Sequence, residues 1–600
     1  MTLTRRSFFA SATAAIPALA QNADAAGARR DHILWSVLEK PYPPEGAWRY
    51  ENFALAAYYL NQRVGEANQA ILTEREKEFP AMLKNKNFHW HAYILERLYF
   101  LFHDNQRMNA AASNAILDML WQWAGPSCRL SMTLPERDWW MWGSENHHVQ
   151  AWSGFWGAAV LFNRHPEYRN RKYGDGSTPL QMAPAFAAYF RRFAAERAAK
   201  GLLVECNSEY NKYTLGGLYN LADFAIEPIL RKRVRMLLDL YWTDWAIEQI
   251  DGVRGGSRQR SYPGRSSTLE SPGSALAWFH FGLGKMNKNP SVVSSATTSY
   301  RPSPIVARLA LDPKGRGVYQ YVSRRPALIT SLKKANFVDD PANPFYAPTG
   351  VYTLDPDAGG LARYTWCTPD FVMGASMVPA RDRKVWAAIA SQNRWEGVIF
   401  AGDPVARIFA QPLPPERGSV YNANWSVENK GVLIVQRLKS TNAHGQRVWF
   451  SESLKRAAKG GWIFAEAPRA FAAVRVVAGK TTWEAGDKGI WLRCADEFSP
   501  VILEVARRSD FPGFAAFQSA ILANPLAWGK GRLDYKSSFY KTALTLFADY
   551  SQAPQVDGKP VNYRPKKVYD SPFLDSDYGS GVVTIRKGQE KLVLDFIKSK

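Results

Sequence analysis

"VQAWSGFWGAAVLFN", Val149 to Asn163, repeats apolar residues at three- and four-residue spacing. That is the period of one helix face, so the stretch predicts an amphipathic α-helix. The same period recurs on both sides. It is present in "NFALAAYYLNQR" (52–63), "HAYILERLYFLF" (91–102), "MNAAASNAILDMLWQWAG" (108–125), "LQMAPAFAAYFRRFAAERAAKG" (180–201), "YTLGGLYNLADFA" (213–225) and "PILRKRVRMLLDLYWTDWAIEQI" (228–250). Gly, Pro or Asn falls between these runs, and seven or more helices joined mostly by short loops predict stacked antiparallel helix pairs. After about Tyr300 the texture changes to short β-branched and aromatic runs such as "GVIFAG", "KGVLIVQRLK", "GWIFAEA", "PVILEVARR" and "GVVTIRKG". These predict a strand-rich C-terminal half, most simply an antiparallel β-sandwich.

Length and composition agree with two large domains. Six hundred residues exceed one compact core, and 46% hydrophobic residues supply two. The expected division is 1–26 as signal and tail, 27–290 as the helical domain and 300–600 as the β domain. Met286 to Ser303, rich in Ser, Asn, Pro and Thr, is expected to be the linker. The N-terminus reads "MTLTRRSFFASATAAIPALAQ", with Arg5-Arg6, a short apolar run and the small-residue site Ala18-Leu19-Ala20. That order predicts a twin-arginine export signal and a periplasmic or secreted protein. No membrane span is expected, because no uncharged apolar run reaches eighteen residues.

Cys128, Cys206, Cys367 and Cys494 form no C-x-x-C pair, which argues against structural zinc and thioredoxin-like chemistry. The formal charge of +22 favours a polyanionic partner. An exported chain without a zinc-finger, homeodomain or RRM signature points away from nucleic acid and towards an acidic polysaccharide. Tryptophans that stack on sugar faces fit that partner, although most of the 22 are expected in the helical core.

Directly before the opening helix stands "WWMWGSENHH", Trp139 to His148. Adjacent histidines make a poor metal pair, no H-x-x-x-H occurs, and "HWH" at His89 and His91 has no carboxylate close by in sequence. No metal or other cofactor is called for. Glu145 with Asp138 or Glu209 would suit glycoside hydrolysis by two carboxylates. Asn146 with His147 would instead suit β-elimination at a uronic acid. An amide donor neutralises the sugar carboxylate as the carbanion develops, a neutral His or an ionised Tyr takes the adjacent proton, and a Tyr hydroxyl returns one to the leaving oxygen. Tyr210 and Tyr213, three residues apart at a helix start, supply the hydroxyls. "GVRGGSRQRSYPGR" adds Arg254, Arg258, Arg260, Tyr262 and Arg265 in a glycine-rich loop, to be read either as a ligand loop or as a solvated turn.

Asn146-His147, followed by Glu205-x-x-Ser208-x-Tyr210-x-x-Tyr213, resembles the heparinase II/III-like and alginate lyase polysaccharide lyases. The resemblance implies an incomplete (α/α) toroid joined to an antiparallel β-sandwich. It also implies Asn146 as carboxylate neutraliser, His147 as base or its partner, and Tyr210 as acid/base. Glu145 stands where the family usually has a second Asn, and His148 has no counterpart. From the C-terminal half, "SQNRWEGVIFAG" offers Arg394 and Trp395 to the cleft, with an inward-facing Trp395 as the plainer reading. The expected substrate contacts are thus Trp142, Glu145, His148, Tyr213, Arg258, Arg260, Tyr262, Arg394 and Trp395. The expected function is an exported lyase of a uronate-containing glycan, with a glycoside hydrolase or a non-catalytic glycan-binding protein of the envelope as rivals.

Overall fold

The structure, a computed structural model, describes residues 25–204, 209–259, 268–287, 289–333, 351–379, 394–403, 405–412, 424–437, 445–496, 498, 500–549 and 552–598. The export signal at Arg5-Arg6 and Ala18-Leu19-Ala20 lies outside them, as do Cys206, Arg260, Tyr262 and Arg265. Residues 25–38 form helix α1. There follow α2 (Arg49–Leu60), α3 (Val64–Thr73), α4 (Phe79–Lys84), α5 (His89–Phe102), α6 (Ala110–Ser127) and α7 (Glu145–Arg164). The helical half continues with α8 (Pro166–Arg169), α9 (Pro179–Lys200), α10 (Asn211–Phe224), α11 (Pro228–Ala246), α12 (Pro272–Phe281), α13 (Val293–Ala296) and α14 (Pro304–Leu311).

These helices form a toroid of two layers. On the inside α2 packs on α5, α5 on α7, α7 on α10, α10 on α13, and α13 returns to α2. On the outside α3 backs α2, α9 backs α7, and α11 joins α9, α10 and α14. The inner helices run in one direction. Glu51 and Tyr58 of α2 meet His91 and Phe102 of α5. Ala92 and Glu96 of α5 face Gly154 and Gly157 of α7. Asn220 of α10 bonds the Tyr93 carbonyl, and Arg97 reaches both Asn220 and Asp223. Such close approach needs glycine. A Cβ at Gly157 would lie 2.3 Å from the Glu96 carboxylate, and one at Gly217 would lie 2.3 Å from Ser153 Oγ. Four helix N-termini therefore open on one face of the ring.

The β half is antiparallel, as expected. Thirteen described strands form one sheet, built around the long hairpin of Tyr319–Lys333 with Val351–Cys367. A six-stranded sheet, including Asn424–Asn429, Val432–Arg437 and Val501–Arg507, packs against it. Leu361, Phe371, Val398 and Ile408 of the first share a core with Val427, Ile434, Phe464 and Val505 of the second. Leu526–Gly529 begins a further five-stranded sheet at the C-terminal side. No helix among the described residues is long and apolar enough to cross a membrane.

The expected domain limits need correction. The helical half continues through a short helix, Pro313–Arg316, and strand structure starts at Tyr319. The segment expected to be a linker is packed into the ring. Val292, Val293, Ser294, Ser295, Ala296 and Tyr300 are buried, and Thr297 Oγ1 bonds the Ser294 carbonyl at 2.7 Å. The halves also exchange strands. Trp140–Trp142 pairs with residues Val351 to Thr353 of the large sheet, and Arg258 pairs with Trp395.

Between the halves lies a buried ionic cluster. Asp244, near the end of α11, takes Arg325 Nη2 at 2.7 Å and Tyr321 Oη at 2.5 Å, and also pairs with Arg254. Glu248 takes Arg254 at 2.7 Å and Arg363 at 2.7 and 2.8 Å. Burial alone would raise the Asp244 carboxyl, but the Arg325, Arg254 and Arg363 guanidiniums hold it below the usual carboxylate range. A depressed carboxyl stabilises the fold above its unfolded pKa, about 3.9, and loses that contribution as pH falls through the folded value. Asp244→Asn should cost roughly 3–5 kcal/mol by leaving buried arginines underpaired. Urea titrations at pH 7 and pH 4 would show it, and a loss under about 1 kcal/mol would refute the role.

Candidate functional site

The four inner N-termini bring together residues that are far apart in sequence. From α2 come Trp48, just ahead of the helix, and Glu51. From α5 come His89, Trp90 and His91, from α7 Asn146 and His147, and from the start of α10 Tyr210 and Tyr213. The helix dipoles give this end a positive potential, which suits an anionic ligand. Two groups of ring contacts connect the residues. Tyr210 lies 6.4 Å from Tyr213, Tyr213 5.7 Å from Trp48, and Trp48 6.4 Å from His91. At the other end, Trp90 and Trp142 lie 5.4 and 6.3 Å from His147. Trp48, Trp90, His91 and Tyr213 line a cavity of about 270 Å³.

His147 is half-buried, and its Nδ1 is 2.9 Å from His89 Nε2. His89 also bonds the Lys86 backbone, a contact that favours protonation of its ring. Burial, then the charges of His147 and His91, push His89 down to about 3, so it is neutral with one proton to place. The direction of the His89–His147 bond follows the tautomers of the two rings. A neutral His147 that donates from Nδ1 to His89 would have the tautomer a general base at Nε2 requires. Asn146 lies under the surface at 1% exposure, and Ser144 Oγ donates to its Oδ1 at 2.6 Å. The bond fixes the amide with its NH₂ end directed away from Ser144. Trp142 is half-buried and 5.1 Å from His89, where it walls the histidine pair.

Several expected substrate contacts sit elsewhere. Glu145 is buried, with Oε1 3.3 Å from Arg197 Nε, and Arg197 lies over Trp139 at 3.8 Å. This carboxylate ties α7 to α9 of the outer layer. His148 is fully buried, stacked 4.0 Å from Trp152 and 2.7 Å from Tyr189 Oη, and burial holds it neutral. Arg258 lies 4.1 Å over the buried Trp395 ring and donates to the Arg254 carbonyl at 2.7 Å. Arg394 is buried beside Glu396 and the Asn424 carbonyl. Arg258, Arg394 and Trp395 stand in the strand pairing that joins the halves.

The sequence reading passed over His91 because no carboxylate is near it in the chain. In space Glu51 of α2 bonds its Nδ1, and Glu74 Oε1 is 3.5 Å away. Glu74 is pushed up to about 10 by burial and by the charges of Glu51 and Glu78. Only the spacing of three separate elements around the ring makes this group, so no local sequence signal could have found it.

No family model matches the chain, and no curated protein does. Among solved structures it aligns with a chondroitinase AC lyase characterised through enzyme–oligosaccharide complexes and mutagenesis, at 9% identity and a TM-score of 0.36, covering 95% of this chain and 98% of that one. A chondroitin AC lyase of Streptomyces coelicolor A3 in complex with chondroitin sulphate aligns at 10% identity and a TM-score of 0.36, covering 95% and 92%. Likeness at that level leaves the chemistry of this site to its own geometry.

Proposed function

We propose that this chain is an exported polysaccharide lyase that cleaves an acidic, uronate-containing glycan by β-elimination. The observation that carries the reading is the half-buried His147, with Nδ1 2.9 Å from His89 Nε2, at the meeting point of four helix N-termini. His147 Nε2 removes the proton beside the sugar carboxylate. Asn146 donates to that carboxylate as negative charge develops on it. Tyr210 returns a proton to the leaving oxygen, and Trp90, Trp142 and Trp48 hold the sugar rings. The formal charge of +22 and the helix dipoles favour the polyanion.

The hydrolase reading is less well supported, because its carboxylates are already engaged. Glu145 pairs with Arg197, Asp138 with Arg192 at 3.0 Å, and Glu209 with Lys212 at 3.8 Å. A lyase product carries a conjugated double bond that absorbs in the ultraviolet, which a hydrolase product lacks. Incubation with alginate, hyaluronan, chondroitin, heparin and pectin should raise that absorbance on at least one polymer. New reducing ends without absorbance would make the enzyme a hydrolase, and neither signal would make the protein a binder.

Tyr210→Phe keeps the ring and removes the hydroxyl, so kcat should fall by roughly 10²–10⁴-fold with substrate binding retained. Asn146→Ala should cost on the order of 10²–10³-fold, as for a deleted oxyanion donor. Circular dichroism and melting would first establish that both variants fold. Full activity in folded Tyr210→Phe, with Glu145→Gln inactive, would replace elimination by carboxylate chemistry.

Export by the twin-arginine route is part of the same proposal, supported by Arg5-Arg6 and Ala18-Leu19-Ala20. Replacing both arginines by lysine should leave the precursor in the cytoplasm, as cell fractionation would reveal. Unchanged export would point to a general secretory signal.

A further inference from the structure

Beside the proposed base, three ligand-type side chains from three different elements converge on one point. Glu51 is in the first turn of α2, His91 in the first turn of α5, and Glu74 opens a π-helical turn, Glu74–Glu78, between α3 and α4. One ligand atom from each lies within 4.8 Å of the others, and all three residues are buried. A π-turn widens the helix locally, and such turns are frequent at functional sites. Here it carries Glu74, 1% exposed, to His91.

Two carboxylates buried side by side cannot both be ionised without a counter-charge, since each ion loses its hydration and repels the other. His91 Nδ1 meets only one oxygen of Glu51 in a hydrogen bond. Glu51 Oε2 and Glu74 Oε1 are buried and have no hydrogen-bond partner among the described residues. Arg49 lines the same cavity but pairs with Glu78. The three residues also line the cavity of about 270 Å³ shared with Trp48, Trp90 and Tyr213, so the cluster borders open space at the cleft.

We propose that Glu51, Glu74 and His91 form a binding site for one divalent transition-metal cation of the zinc type. One imidazole with two carboxylates is a donor set that borderline ions accept. The geometry is close to what such an ion needs. Donors about 2.0–2.2 Å from a tetrahedral ion stand roughly 3.4 Å apart, and Glu74 Oε1 is 3.5 Å from His91 Nδ1. Glu51 has only to exchange its hydrogen bond to Nδ1 for a bond to the ion. Three protein ligands leave a fourth position towards the cavity, the arrangement of an open site. The ion neutralises the carboxylate pair and leaves an electrophilic ligand position on the floor of the cleft.

Zinc chloride titrated into the purified, chelator-stripped full-length chain should show one saturable site by calorimetry and raise the melting temperature. Glu74→Gln keeps the shape and removes one buried charge. It should melt no lower than the metal-free wild type, yet bind Zn²⁺ at least about tenfold more weakly. His91→Gln should do the same, and Glu74→Gln decides alone if that variant does not fold. No saturable binding, undiminished binding in these variants, or a preference for Ca²⁺ over Zn²⁺ would each overturn the proposal. The readout is binding rather than turnover, so its failure is distinguishable from failure of the lyase reading.

Discussion

The site depends on one packing constraint, the side-by-side contact of inner helices that run in the same direction. Parallel helices cannot be joined by tight turns, so each is followed by an outer helix that returns the chain. The result is the two-layer ring. Because α7 packs on α5 through Gly154 and Gly157, and α10 on α7 through Gly217, the starts of these helices are drawn to a common face. Helix dipoles, histidines and tyrosines are then concentrated there without any long functional loop. A larger residue at Gly157 or Gly217 would separate the helices and move His147 from His89, altering the chemistry through packing alone.

The second constraint fixes the ring to the sheets. Asp244 and Glu248 face Arg254, Arg325 and Arg363, with Tyr321 and Thr365 as further donors. Such a cluster is a weak source of net stability because each ion gives up hydration. Its effect is directional. Each guanidinium accepts only a narrow range of carboxylate positions, so the end of α11 is held in one orientation on the long hairpin. Pairing of Arg258 with Trp395, and of Trp140 with Thr353, gives the same junction a backbone component. The strand Trp140–Trp142 leads directly into the Asn146-His147 turn. The β half thereby fixes the entry to α7.

Much of this fold is legible in the sequence, because a 3.6-residue period and β-branched runs report local burial directly. The helical runs from 52 to 250 and the strands after 319 follow from it. The segment 286–303 was read as a linker because Ser, Thr and Asn mark loops, yet small polar side chains bury well when they bond nearby carbonyls, as Thr297 does. Arg254 and Arg258 looked like a solvated turn or a ligand loop because their partners, Asp244, Glu248 and Trp395, belong to other elements. Glu145 was read as part of the site from its position in the motif. On a helix the next residues point in different directions, and Glu145 turns to Arg197 while His147 turns to His89. His91 was set aside for want of a local carboxylate, which only the ring supplies.

The acidic corner at Glu51, Glu74 and Glu78 runs against the proposed polyanionic substrate. Among these residues Glu78 is paired with Arg49, but Glu51 and Glu74 present their remaining oxygens to the cavity side of His91. Without a counter-ion, ionising the pair would repel a uronate approaching Trp48 and Tyr213. A bound divalent cation removes that repulsion, since it cancels both carboxylates, and it would still offer a ligand position to the proposed substrate. Elimination demands that the sugar carboxylate be neutralised as the neighbouring proton leaves, and here a buried amide, Asn146, is the only neutraliser read from the motif. Glu145, one residue before it, serves α9 instead. A cation held by α2, α5 and the π-turn would add a second electrophile to the cleft from a different side, and would account for carboxylates buried where the proposed anionic substrate would bind.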